Sequence, residues 1–134
     1  MILKSMLIWL SIIPLAIANG ALREGLLVSL IGDKFANPIS GIILCILIYT
    51  VSFIFIPKLG KGTKKTYLAI GLLWFFSTVI FETGLGLFMG IAFIEIINAY
   101  NITTGNIWLI VVIFTGFVPY LVAKIKKYIL GENE

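Results

Sequence analysis

The chain has 134 residues, 60% of them hydrophobic and only 12% charged, where soluble domains carry about 45–50% and about 25%. Roughly 80 apolar residues exceed what one soluble core of this length can hide, and too few charges remain to coat it. That balance, with a mean hydropathy of +1.13, excludes a soluble enzyme, a nucleic-acid-binding domain and a disordered chain, and matches four membrane spans of about 20 residues each.

Other totals subtract further chemistry. There is no histidine, so the usual proton shuttle and the commonest metal ligand are missing. The single cysteine, Cys45, lies between Leu44 and Ile46 in an apolar run. It has no disulfide partner in the chain, no cysteine cluster exists for zinc or iron–sulfur, and inert packing is its ordinary role. No catalytic residues, metal site or cofactor are expected. The net charge of +4 matters less than where the basic residues sit.

In chain order, Lys4 precedes a first apolar run over residues 5–22, which contains Pro14. Its Ala16-Ile17-Ala18 resembles a signal-peptide cleavage site, which would remove residues 1–18, although the apolar run continues past it. Residues 24–35 hold Leu26, Leu27, Val28, Leu30 and Ile31 and are expected as an amphipathic segment in the membrane interface. Gly32-Asp33 and Asn37-Pro38 read as turns. The second run covers 39–56, and a basic loop over 57–66 follows with Lys58, Lys61, Lys64 and Lys65. The third covers 67–88. A second interfacial segment, 91–100, has Ile91, Phe93, Ile94, Ile97 and Tyr100 around Glu95 and Asn98. Asn101 to Asn106 form a turn, the fourth run covers 107–123, and the tail is 124–134. Each run, at 17 to 22 residues, crosses about 30 Å of hydrocarbon as a helix. None alternates as a barrel strand would.

Eight of the ten Lys and Arg residues (Lys4, Lys58, Lys61, Lys64, Lys65, Lys124, Lys126 and Lys127) fall on one side of this layout. Only Arg23 and Lys34 fall on the other. The positive-inside rule places both termini in the cytoplasm. The fold class is therefore an all-α membrane protein, a single four-transmembrane-helix bundle, N-in and C-in. Its partners are the lipid bilayer and anionic headgroups, which the basic loop can attract; no nucleic acid is expected.

Every span carries a small or polar stripe: Ala16, Asn19 and Arg23; Gly41, Cys45 and Ser52; Gly71, Thr78 and Glu82 with Gly86 and Gly90; Gly116, Pro119 and Ala123. Such stripes let helices approach closely in lipid, so Gly41, Gly71, Gly86, Gly90 and Gly116 are the expected packing positions. Pro14 and Pro119 are expected to kink their spans.

Glu82 is the exception among the spans. It lies about 22 Å along span three, and Arg23 about 27 Å along span one, at 1.5 Å per residue. A charge in hydrocarbon must face the bundle interior and find a partner or water. Arg23 is the obvious partner, with Asn19, Thr78 and Glu24 around it near the outer face. The pair either locks spans one and three together or forms part of a substrate or ion site. A carboxyl alone in apolar surroundings carries a proton, whereas one beside a guanidinium stays ionised.

The halves share a layout of span, outer segment, span and basic segment. Arg23-Glu24-Gly25-Leu26 parallels Phe81-Glu82-Thr83-Gly84-Leu85, and Ser40-Gly41-Ile42 parallels Thr104-Gly105-Asn106-Ile107, as a duplicated transporter would show. Asn19-Gly20-Ala21-Leu22-Arg23-Glu24 and Phe81-Glu82-Thr83-Gly84 also resemble segments of small bacterial four-span membrane proteins of unassigned function, over nearly the whole chain. That resemblance implies a bacterial cytoplasmic (inner) membrane location and no particular activity. Motifs of small multidrug exporters and fluoride channels are not matched. The leading expectation is a small transporter or channel, active as a homodimer because four short helices enclose little volume. The alternative is a non-catalytic accessory or assembly subunit in which Arg23 and Glu82 only fix packing.

Overall fold

A backbone in lipid must satisfy its own hydrogen bonds, and a helix does so within one segment. The computed structural model, which describes residues 2–98, 107–126 and 128, is accordingly almost wholly helical. Helix α1 (Ile2–Leu22) runs through a π-helical turn (Arg23–Leu27) into α2 (Val28–Ile31). Helix α3 (Asp33–Phe55) ends in a 3-10 turn (Ile56–Leu59), and α4 spans Lys64–Phe88. The short α5 (Phe93–Asn98) and then α6 (Trp108–Ile125) complete the described elements. Four rods, Ile2–Ile31, Lys34–Leu59, Lys64–Phe88 and Trp108–Ile125, are long and apolar enough to cross a membrane. They are compatible with the expected all-α membrane bundle. Large side chains such as Leu3, Ile80 and Phe88 point outward at 82%, 71% and 89% exposure, a surface suited to lipid rather than water.

The structure differs from expectation between the first two spans. Residues 24–31 are not a segment separate from the first span: the first rod continues helically to Ile31, and the break is confined to Gly32, at φ 80° and ψ 164°. Helix α3 restarts at Asp33, and Ala36 N donates to Gly32 O at 2.9 Å. Asn37 and Pro38 therefore lie inside α3 instead of forming a turn. The reason is backbone satisfaction. A loop through Val28, Leu30 and Ile31 would strand donors and acceptors in an apolar setting, whereas a helix leaves only one junction residue non-helical.

The basic segment is tighter than a 57–66 loop. Lys58 lies on the 3-10 turn, and Lys64 and Lys65 already occupy the first turn of α4. Thr63 caps that helix, its hydroxyl accepting from Thr66 N at 3.2 Å. Tyr67 Oη donates to Gly60 O, and Gly62 N donates to Tyr128 O at 3.0 Å, tying the segment to the end of α6. Of the 91–100 segment, Phe93–Asn98 is helical. The expected turn Asn101–Asn106, Tyr100, Lys127, most of the tail and the repeat Thr104-Gly105-Asn106 lie outside the described residues.

Helix α6 packs against both α3 and α4, while α1 rests on α3 and α4. Trp74, Tyr67 and Ile70 from α4, Ile8, Trp9 and Ile12 from α1, Leu44 and Ile48 from α3, and Val111, Val118 and Val122 from α6 make one core. Its tightest seam is glycine on glycine: a Cβ at Gly71 would collide with the backbone carbonyl of Gly116. Gly41 and Gly86 make similar room for the side chains of Ile107 and Ile96. Gly90 is different from its expected packing role. It sits at φ 81° just past the end of α4, where a Cβ would meet nothing, so it serves the turn.

Candidate functional site

At the end of the bundle remote from the Lys58–Lys65 segment, the helices part around a cavity of about 530 Å³. Its wall takes Ala16, Asn19, Gly20 and Arg23 from one face of the first rod, with Ile17, Ala21 and Glu24 beside them. Spacings of three, four and seven residues put each set on a common helical face. Helix α3 contributes Leu44, α4 contributes Phe81, Glu82, Leu85 and Gly86, α5 contributes Glu95 and Ile96, and α6 contributes Trp108.

Arg23 and Glu24 begin the π-helical turn, in which Val28 N donates to Arg23 O. A π turn holds one extra residue and shifts the phase of everything after it. The Arg23 guanidinium lies back over Gly20, where a Cβ would be 3.9 Å from Nη2. Arg23 Nε donates to Glu24 Oε1 at 3.3 Å, with the two side chains 34% and 71% exposed. A pair this open to solvent contributes little to stability.

The direct Arg23–Glu82 ion pair expected from the sequence is therefore replaced by the neighbouring Arg23–Glu24 pair. Glu82 is half-buried in the cavity wall and has no hydrogen-bond or ion-pair partner among the described residues. Arg23 reaches it through its field across the cavity instead of by contact. Glu82 also borders a smaller void of about 40 Å³, lined by Trp9, Thr78, Trp108 and Thr115 among others, close to the share of one water in the liquid, about 30 Å³. It thus stands between the large cavity and the bundle interior.

Asn19 is 5% exposed and lines the large cavity. Its Nδ2 donates to Ser40 O at 3.0 Å and to Ser40 Oγ at 2.9 Å, joining α1 to α3. Its Oδ1 is buried with no donor. Thr78 lies apart from the large cavity. It donates to Trp74 O at 2.8 Å and accepts from Trp9 Nε1 at 3.0 Å, making a packing link between α1 and α4. Of the five residues expected to cluster, Asn19, Arg23, Glu24 and Glu82 share the large cavity, and Thr78 reaches Glu82 only through the smaller void.

Sequence reasoning did not single out Ser40, Phe81, Glu95 or Trp108 for this site. Glu95 carried a weak signal as the acidic residue in an otherwise apolar segment. The others depend on which helix faces come together.

Most of the lysines form a separate feature at the opposite end, while Lys34, at the start of α3, stands over Phe35 at 5.9 Å. Lys58 lies over Phe55 at 5.0 Å, Lys64 and Lys124 over Tyr120 at 5.7 and 5.9 Å, and Lys126 over Phe53 at 3.9 Å. Lys61 and Lys65 are exposed. Cations standing over aromatic faces suit the boundary between an apolar layer and water. No group of three His, Cys, Asp or Glu residues among the described ones could hold a metal ion.

The chain was compared with family models, curated proteins and solved structures. None matches it. The functional reading therefore rests on the cavity and the residues that line it.

Proposed function

We propose that the protein is a small transporter of the bacterial cytoplasmic membrane, N-in and C-in, whose ligand site is the Glu82 cavity at the outer face. The observation that carries this is the cavity itself. A purely structural Arg23–Glu82 lock would bring the two charges into a dry contact. Here about 530 Å³ separates the helices around them, and Glu82 has no partner among the described residues. An intramembrane carboxylate kept unpaired at the edge of a cavity is costly to maintain and is a functional-site signature. The π-helical turn at Arg23–Leu27 adds to this, since such turns recur at functional sites. The reading invokes no catalysis; among the described residues the cavity wall shows no nucleophile–base pair. In this reading the cavity is formed within one chain.

The orientation follows from the lysine distribution under the positive-inside rule. The test of function is flux into proteoliposomes holding the purified protein, with small cations, anions and neutral solutes offered in turn. At least one solute class is expected to move, and Glu82→Gln is expected to abolish that movement in a protein that stays folded. If no class moves, or if Glu82→Gln moves the same solute at the same rate, the accessory-subunit alternative replaces this reading.

A further inference from the structure

The lysine end of the bundle is more organised than a diffuse attraction to charged lipid requires. Lys58, Lys61, Lys64, Lys65, Lys124 and Lys126 gather there from the segment after α3, the start of α4 and the end of α6. The carboxylate residues among the described ones, Glu24, Asp33, Glu82 and Glu95, belong to the opposite end. No described carboxylate therefore balances these ammonium groups.

Two of the lysines converge. Lys64 of α4 and Lys124 of α6 stand over the same ring, Tyr120, at 5.7 and 5.9 Å, within the range over which a ring attracts a cation. Two like charges drawn to one ring repel each other, and an anion between them replaces that repulsion with attraction. Lys126 lies on Phe53 of α3 at 3.9 Å. Lys64 and Lys126 are thus each placed on a ring from a different helix. An ammonium anchored in this way has already lost freedom that a loop lysine keeps, which lowers the cost of binding.

The surface of α6 next to this pair is apolar. Phe117, Leu121 and Lys124, spaced by four and three residues, share one helical face, and Phe117 and Leu121 are exposed on it. A free phosphate engages only the ammonium groups. A phospholipid engages both features, with its phosphate at the lysines and an acyl chain along Leu121 and Phe117.

We propose that this end of the bundle holds a bound anionic phospholipid, its headgroup phosphate between Lys64 and Lys124. The site lies at the opposite end from the Glu82 cavity and stands whether or not that cavity carries a transported solute.

The test is native mass spectrometry of the detergent-solubilised full chain with phosphatidylglycerol and phosphatidylcholine of equal chain length. One phosphatidylglycerol per chain should be retained at concentrations where phosphatidylcholine is not. Lys64→Gln combined with Lys124→Gln should weaken phosphatidylglycerol about tenfold or more, since each lysine near a headgroup is worth about fivefold. Lys61→Gln combined with Lys65→Gln removes the same charge from exposed positions. That second pair should weaken binding by less than about threefold, because solvent screens charges that do not touch the phosphate. Both pairs leave the core untouched, so their difference reports the site and not the fold. Inorganic phosphate should fail to displace the lipid.

Equal weakening by the two pairs would mean a diffuse field and overturn the proposal. Retention of phosphatidylcholine as tightly as phosphatidylglycerol, or of neither lipid, would also overturn it. Displacement by inorganic phosphate would replace the lipid with a free anion and overturn it as well.

Discussion

At the residue scale the contrast between Glu82 and Asn19 carries most of the information. Glu82 has no ion-pair or hydrogen-bond partner among the described residues, so removing its charge breaks no contact. Glu82→Gln should leave the unfolding midpoint in an SDS titration within about 0.5 kcal/mol of the parent or slightly raise it. A purely structural pair would instead lose about 3 kcal/mol or more when one partner is removed. Asn19 behaves oppositely, because its Nδ2 bridges α1 to Ser40 of α3 with two bonds. Interhelical hydrogen bonds in membrane proteins average about 0.6 kcal/mol, so Asn19→Ala should cost about 1 kcal/mol in the same titration. The sequence marked both residues as polar positions on span faces. It singled out Glu82 by its charge, but not which of the two has a partner, because that depends on what stands opposite each one.

At the element scale the glycines show how far a pattern can be read. Five were expected in packing seams from the stripes of small residues along the spans. Gly71 meets Gly116 backbone to backbone, while Gly90 ends a helix and touches nothing. A Cβ at Gly71 has only a carbonyl to displace, and a backbone cannot rotate away. Gly71→Ala should therefore destabilise the α4–α6 seam by about 1–3 kcal/mol, read as a lower melting temperature in detergent. Gly84 on the same helix has open space around it. Gly84→Ala should raise stability by about 0.5–1 kcal/mol through helix propensity. If both substitutions destabilise equally, the seam assignment is wrong. The junction at Gly32 teaches the same lesson. The residues on either side are apolar enough to look like an interfacial segment, yet backbone hydrogen bonding keeps the helix running to Ile31.

At the scale of the whole molecule, the two ends of the bundle are chemically unlike. One end gathers lysines over aromatic rings, and the other opens around the acidic cavity. Lys64 and Lys65 stand in the first turn of α4, where the helix dipole disfavours positive charge. Under the proposed N-in, C-in orientation this placement serves topology, since basic residues flanking spans favour the cytoplasmic side. A green fluorescent protein fused after Glu134 should fluoresce in bacterial cells, and an alkaline phosphatase fused at the same point should stay inactive. The reverse pattern would invert the bundle and place the Glu82 cavity toward the cytoplasm.

The sequence by itself determined that the chain forms four apolar helices and that one carboxylate lies within them, because hydropathy and length are local sums over neighbouring residues. The tertiary structure alone decided where the first rod ends, which glycines carry a seam, and that Glu82 faces a cavity instead of Arg23. The reason is helical phase. Whether Gly71 meets Gly116 and Glu82 meets a cavity depends on how separate helices are rotated against one another across the bundle. No sum over composition records that rotation, yet it decides what each side chain meets.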